Sequence, residues 1–227
     1  MLKSARSMKA WRDTAEHYER TSWKLGTARG EHVRERRLHA AVRILKPNNS
    51  VLDVGCGPAT LTKDFPCPVV GCDLSVTMLN KAKERIAEVV RCDAQQLPFR
   101  DKCFDVSFES SCLYLVGARE AMIREMERVG RKQVIIFESN RLSLRRLYDK
   151  YLGGTIMKPE HPSPSEVKRY METVGLSPRV RMVGFSPLVG GSLLLKLWKP
   201  LEWFMESCPG IRCLAGGILA SASLKDD

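Results

Sequence analysis

A glycine-rich turn and three spaced acidic residues carry the chemistry open to this sequence. Val51-Leu52-Asp53-Val54 is a short apolar run closed by Gly55-Cys56-Gly57-Pro58-Ala59-Thr60. Glycines directly after a strand let the backbone come close to a ligand, either a phosphate or an adenosyl compound. A phosphate loop needs Gly-Lys-Ser/Thr, which is absent, and a dinucleotide site wants a further glycine where Thr60 stands. Asp53 would repel a pyrophosphate but suits a ligand with an ammonium group and a sulfonium. Asp73 closes a second apolar run as Gly71-Cys72-Asp73-Leu74, where a carboxylate can accept both hydroxyls of a ribose. Asp93, in Cys92-Asp93-Ala94 after a third run, can accept an adenine amino group. Each acid alone could be a helix N-cap. Three at consecutive strand tips, beside the glycines, point to a nucleoside site.

Such residues need strands alternating with helices. Residues 31–46 place Val33, Leu38, Ala41, Val42 and Leu45 mostly on one helical face, ending before Pro47. Strands are expected at 50–54, 68–73, 89–92, 104–108 and 133–137, with strand-like segments near 179–185 and 218–224. Between them, Ser75 caps a helix that turns Met78, Leu79, Ala82 and Ile86 inward, and 118–129 forms another. Residues 142–152 read as a basic helix, and 164–174 as one capped by Ser163 or Ser165. The pattern predicts an α/β, doubly wound, mostly parallel sheet whose ligand lies at the carboxyl ends of the strands.

At 227 residues, 44% apolar and 28% charged, the chain can bury a real core, which excludes disordered and fibrous classes. No apolar run approaches the roughly twenty residues of a membrane span. The segment 1–24 is too charged for a secretory leader. Eight cysteines form no Cys-x-x-Cys pair, so no metal site is expected, and reduced thiols in the cytoplasm are the simplest reading. Charge is uneven. Residues 1–46 hold twelve Lys/Arg against five Asp/Glu, and 131–152 hold six against two, around a slightly acidic centre. Either these blocks attract the phosphates of RNA or anionic lipid, or they form a solvated helix face. The latter is preferred, because Arg34, Arg36 and Arg37 alternate with Glu31 and Glu35 and no aromatics interleave.

With these motifs the chain resembles the class I S-adenosylmethionine-dependent methyltransferases, specifically the type 11 group that includes ubiquinone-biosynthesis-like enzymes. The likeness covers nearly the whole chain. It runs from His17-Tyr18-Glu19, similar to the lid over the cofactor, through the glycine turn and the ribose strand Gly71 to Leu79. It continues through the adenine loop Asp93-Ala-Gln-Gln-Leu-Pro-Phe, the fourth strand from Phe104 to Leu113, and the helix around Glu125 to Val129. The resemblance implies a single domain on a seven-stranded, mostly parallel Rossmann-like sheet with an antiparallel strand. Its parts would be an N-terminal lid (1–46), a cofactor core (47–139), substrate-facing insertions (140–217), and a last strand with its tail (218–227).

The cofactor implied is S-adenosylmethionine, held by Tyr18, Asp53, Gly55, Cys56, Gly57, Asp73, Leu74, Met78, Asp93, Ala94, Glu109 and Ser110. Three departures stand out. Ala59 replaces the usual third glycine, Gly130-Arg131-Lys132 replaces a Pro-Gly-Gly turn, and Tyr114 stands where an acid or histidine is often found. Methyl transfer needs an aligned nucleophile and a dry site, and a general base only where the nucleophile carries a proton. By residue type alone the base candidates are His17, His161 and Tyr114. Tyr18 and Trp23 either close the lid or merely anchor an N-terminal helix. The apolar stretch 193–205 walls a substrate pocket, meets a membrane surface, or packs as an ordinary helix interrupted at Pro200, the last being preferred. The acceptor expected is a small, apolar molecule. The alternatives are an RNA-modifying methyltransferase and a non-catalytic cofactor-binding regulator.

Overall fold

Seven apolar runs pair into one sheet in the computed structural model, which describes residues 15–151, 161–186 and 192–224. The strands are β1 (Val51–Val54), β2 (Val69–Asp73), β3 (Glu88–Arg91), β4 (Phe104–Ser110), β5 (Gly130–Ser139), β6 (Arg179–Val183) and β7 (Gly217–Ser223). Their order is β3-β2-β1-β4-β5-β7-β6. The first five run parallel, and β7 is antiparallel to both β5 and β6. The doubly wound sheet with its antiparallel member is the architecture expected.

The helices are α1 (Ala15–Tyr18), α2 (Ala28–Val42), α3 (Val76–Ala82), α4 (Arg119–Val129), α5 (Leu144–Tyr151), α6 (Pro164–Thr173), α7 (Ser192–Ser207) and α8 (Pro209–Arg212). A π-helical turn, Glu19–Trp23, follows α1. Both faces of the sheet are covered, which is why β1 and β4 bury all but one of their positions. On one face Leu52, Val54, Val134 and Ile136 pack with Met122, Ile123 and Met126 of α4 and Val167 and Met171 of α6. On the other, Val51, Val106, Phe108, Ile135 and Phe137 pack with Ala41 of α2 and Leu45 just after it.

Local chemistry sets the boundaries. Thr27 caps α2 by accepting the Gly30 N–H at 3.1 Å, and Ser75 accepts that of Met78 at 3.4 Å. Ser163, not Ser165, caps α6, in a reciprocal box with Glu166. At the far end of the sheet Asp105 accepts from Ser50 N at 2.9 Å and Arg131 at 2.6 Å, and pairs with Lys132 at 2.9 Å. The basic residues of the altered turn before β5 therefore lock β1, β4 and β5 together.

Two expectations fail. Arg34, Arg36 and Arg37 do not form a solvated face: Arg37 is buried, Arg34 pairs with Glu31 and Asp64, and Arg36 pairs with Glu202 and Glu206 of α7. At 100° per residue Arg34 lies between Leu38 and Ala41, and Arg37 lies about 40° to the side of Ala41, so the packing of the stripe carries them inward. Nor does Pro200 interrupt α7, which runs through it. Leu197, Leu201, Trp203 and Phe204 of that helix stay exposed rather than packed. Of the expected basic helix, Leu152 lies outside the described residues, as do residues 1–14 of the N-terminal segment.

Candidate active site

The carboxyl ends of β1, β2 and β4 meet where the strand order reverses, between β1 and β4, which is where an open α/β sheet leaves a crevice. The turn after β1 makes its floor. Gly55 and Cys56 donate their N–H groups to Cys72 O of β2 at 2.8 and 2.9 Å, tying the turn to the neighbouring strand. Gly55 and Gly57 have φ of 71° and 53°, a region glycine enters freely. Ala59, in the third glycine's place, takes the same left-handed conformation at φ 54°.

Asp73 spans the tips of the first two strands. It accepts the Gly57 N–H at 2.9 Å and the Ser75 N–H at 2.8 Å. Burial raises its pKa, against the lowering by these backbone donors. Asp53 is buried in β1 and accepts the Thr62 hydroxyl at 2.7 Å. Burial, opposed by Thr62 and reinforced by the Asp73 charge, pushes its pKa up to about 7. Among the described residues no Lys or Arg pairs with it. The cavity above the turn is lined by Asp53, Gly55, Cys56, Thr60 and Ser110, with Tyr18 and Trp23 as its roof. A buried carboxylate without a cation, facing bare glycine backbone, fits a ligand that brings its own positive charge.

The roof is latched. Glu19 accepts from the Thr60 hydroxyl at 2.7 Å and from both terminal nitrogens of Arg85, one at 3.0 Å. Tyr18 thereby hangs over the Gly57 turn, its ring 3.9 Å from where a Gly57 Cβ would stand, and burial pushes its pKa up to about 12. The Cys112 thiol sits above Gly55, 2.2 Å from where a Cβ there would stand, so only glycine leaves room.

Of the other expected site residues, Ser110 lines the cavity, Leu74 is exposed and Ala94 is half-buried. Met78 is buried, and Asp93 is exposed, its carboxylate accepting the Gln95 N–H at 2.9 Å. Glu109 is fully buried. One of its oxygens accepts the Cys112 and Leu113 N–H groups, at 2.9 and 3.3 Å, and the other has no partner among the described residues.

Beside the crevice, at the tips of β4 and β5, lies a polar cluster of which sequence reasoning named only His161 and Tyr114. Arg37 reaches in from α2, between the rings of Trp23 and Phe137, and donates to Ser111 at 2.8 Å and Ser139 at 2.7 Å. On the other face of the sheet Glu138 accepts the Tyr114 N–H at 3.2 Å. The His161 ring stacks on Tyr114 with centroids 4.1 Å apart, and its Nδ1 faces Glu138 at 3.7 Å. Burial lowers the His161 pKa; Glu138 raises it, and Arg146 and Arg37 lower it further. The signal for Arg37 was available, a cation on the packed stripe of its helix. The His161–Glu138 approach, between residues 23 apart, was not. Among the described residues no cluster of His, Cys, Asp and Glu could hold a metal.

Residues 52–137, β1 through most of β5, match the methyltransferase-domain family of type 11. The demethylmenaquinone methyltransferase of Streptomyces griseus is 29% identical over 195 residues, which cover 82% of this chain and 80% of that protein. The chain is an S-adenosylmethionine-dependent methyltransferase. Solved structures show the same fold. An S-adenosylmethionine-dependent methyltransferase from Thermotoga maritima aligns with TM-score 0.63 at 17% identity, covering 85% of this chain and 89% of that one. The magnesium protoporphyrin IX methyltransferase of Synechocystis, solved with S-adenosylhomocysteine, aligns at 0.61 and 15%, covering 92% and 97%. This methyltransferase therefore uses S-adenosylmethionine, which brings the ammonium and sulfonium that Asp53 and the bare turn suit.

Proposed function

We propose that this methyltransferase acts on a small, largely apolar acceptor that gives up a proton as it is methylated. The observation that carries the reading is the half-buried His161, set against Glu138 next to the cofactor crevice. In this reading Asp53 neutralises the cofactor's ammonium group and Asp73 accepts its ribose hydroxyls. Gly55, Cys56 and Gly57 offer bare backbone, Leu74, Met78, Asp93 and Ala94 border the adenine, and Glu109 and Ser110 close the side toward β4. Bound there, S-adenosylmethionine supplies a methyl group on a positively charged sulfur.

This chain's own residues do the rest. Tyr18 and Trp23 exclude water, so the charge lost in the transition state is lost in a site of low polarity. His161 keeps its Nδ1 proton toward Glu138 and takes the acceptor's proton on Nε2. The Arg37 guanidinium lies beside the negative charge left on the acceptor. His17 is exposed, and burial raises the Tyr114 pKa far above neutrality, so neither serves as the base. The name of the S. griseus relative supports a quinone-like acceptor. An RNA acceptor draws less support, because Arg34, Arg36 and Arg37 are paired or buried rather than free for phosphate. All eight cysteines are free, which supports the reducing cytoplasm as its compartment.

Labelled S-adenosylmethionine offered with hydroxylated aromatics and quinols, lipid extract and RNA tests the reading; label entering RNA alone would overturn it. His161→Gln should lower kcat by roughly 10²–10⁴ with little change in KM. For the intact enzyme kcat should fall on acidification through a pKa below the ordinary 6.5 of histidine. Glu138→Gln, which removes the neighbour that raises that pKa, should move the limb to still lower pH. A kcat that is independent of pH would remove His161 from the reaction.

A further inference from the structure

The described part of α7 divides sharply into two faces. Its inner face is fixed to the protein. Glu202 accepts from His32 and from the Phe185 N–H, both at 2.9 Å, and Glu206 accepts the Gly184 N–H at 3.0 Å. Trp198 donates to Phe185 O at 3.0 Å, and Met205 is buried. Both acids of this face are thereby consumed, and Arg36 pairs with each. The outer face has no such use. Leu197 is 69% exposed, Leu201 47%, Trp203 72% and Phe204 55%, and Ile211 of α8 adds 37%.

At 100° per residue Leu197, Leu201 and Phe204 fall within about 60° of one another, with Trp203 on the flank beside Lys196 and Lys199. Those two lysines and Arg212 of α8 are exposed. A single exposed leucine is ordinary on a soluble protein, but three large apolar side chains on one helix face, with a tryptophan among the cations on its flank, are not. The position of the face matters as much. β6 is antiparallel to β7, which is antiparallel to β5, so β6 ends at the same edge of the sheet as the crevice. Gly184 and Phe185, directly after β6, hold α7 at that edge.

We propose that the outer face of α7, together with Ile211, docks this protein on an anionic lipid bilayer, at the edge where the cofactor crevice lies. Charge complementarity selects the lipid surface. The acids point inward, the cations rim the apolar residues, and the chain carries a net charge of +11. Trp203 and Phe204 would enter the boundary between headgroups and acyl chains while Lys196, Lys199 and Arg212 meet the headgroups. The proposal goes beyond the acceptor reading, since docking requires no methyl transfer.

The test is flotation of the full chain with vesicles of phosphatidylcholine alone or mixed with phosphatidylglycerol. Binding should appear with the mixture, shift the tryptophan emission to the blue, and weaken in high salt. Leu197→Ser with Trp203→Ser and Phe204→Ser should reduce partitioning at least tenfold while leaving S-adenosylmethionine affinity, and hence the fold, unchanged. Lys196→Glu with Lys199→Glu should abolish the preference for the anionic mixture. Equal binding of the apolar variant and the parent would overturn the proposal. So would a concentration-dependent dimer, seen by sedimentation velocity and lost in the apolar variant, which would assign the face to a second copy.

Discussion

Asp53 illustrates how one side chain can be costly to the fold and useful to the site. Burial, with Asp73 nearby, lifts its pKa to about 7, so between its unfolded value near 3.8 and 7 the folded protein binds the extra proton. Its contribution to stability is therefore full below the unfolded value and lost as pH rises through 7. A cationic ligand beside it reverses the preference and expels the proton. We expect S-adenosylmethionine binding at pH 6 to release protons, read by calorimetry as a dependence of the apparent enthalpy on buffer ionisation. Asp53→Asn should remove that dependence, weaken binding and raise stability at alkaline pH. Asp73 acts differently, as a hydrogen-bond acceptor. Asp73→Ala should weaken cofactor binding by about 1–3 kcal/mol, and unchanged affinity by calorimetry would take it out of the site.

Elements were the most legible scale. Every strand expected from an apolar run is present, and Ser75 and Ser163 cap the helices they announce, because runs and caps depend on neighbours in sequence. The glycine turn and Asp73 were readable for the same reason: each sits where a strand stops. What sequence could not give depends on residues far apart. His161 meets Glu138 only after α6 folds back over α4. Asp105 belongs to this class too, since its partners come from the start of β1 and the start of β5. Burial would raise its pKa, but Lys132, the Ser50 N–H and Arg131 together hold it well below the usual carboxylate range. That stability is present above the unfolded pKa and is lost as pH falls. Asp105→Ala should cost about 2–3 kcal/mol at neutral pH, most of it from the stranded Ser50 donors, and somewhat less near pH 3 by chemical denaturation.

At the scale of the molecule, ligand entry requires the latched roof to open. The latch is ionic. Burial would raise the Glu19 pKa, yet Arg85 and Thr60 keep it lowered, so the carboxylate stays charged at neutral pH. Glu19→Ala removes charge-assisted bonds worth about 1.5–3 kcal/mol and should speed cofactor release, measured by stopped-flow displacement. Release at the parental rate would mean that Tyr18 moves without the latch.

Helix α2 is pinned twice within two turns. His32 is bonded to Glu202 of α7, and Arg37 is threaded to Ser111 and Ser139 at the tips of β4 and β5. The four residues between them act as a ruler. One residue inserted there would swing one anchor about 100° around the helix axis relative to the other, so both could not hold at once. The spacing of α2, more than its composition, keeps the outer helix in phase with the strand tips.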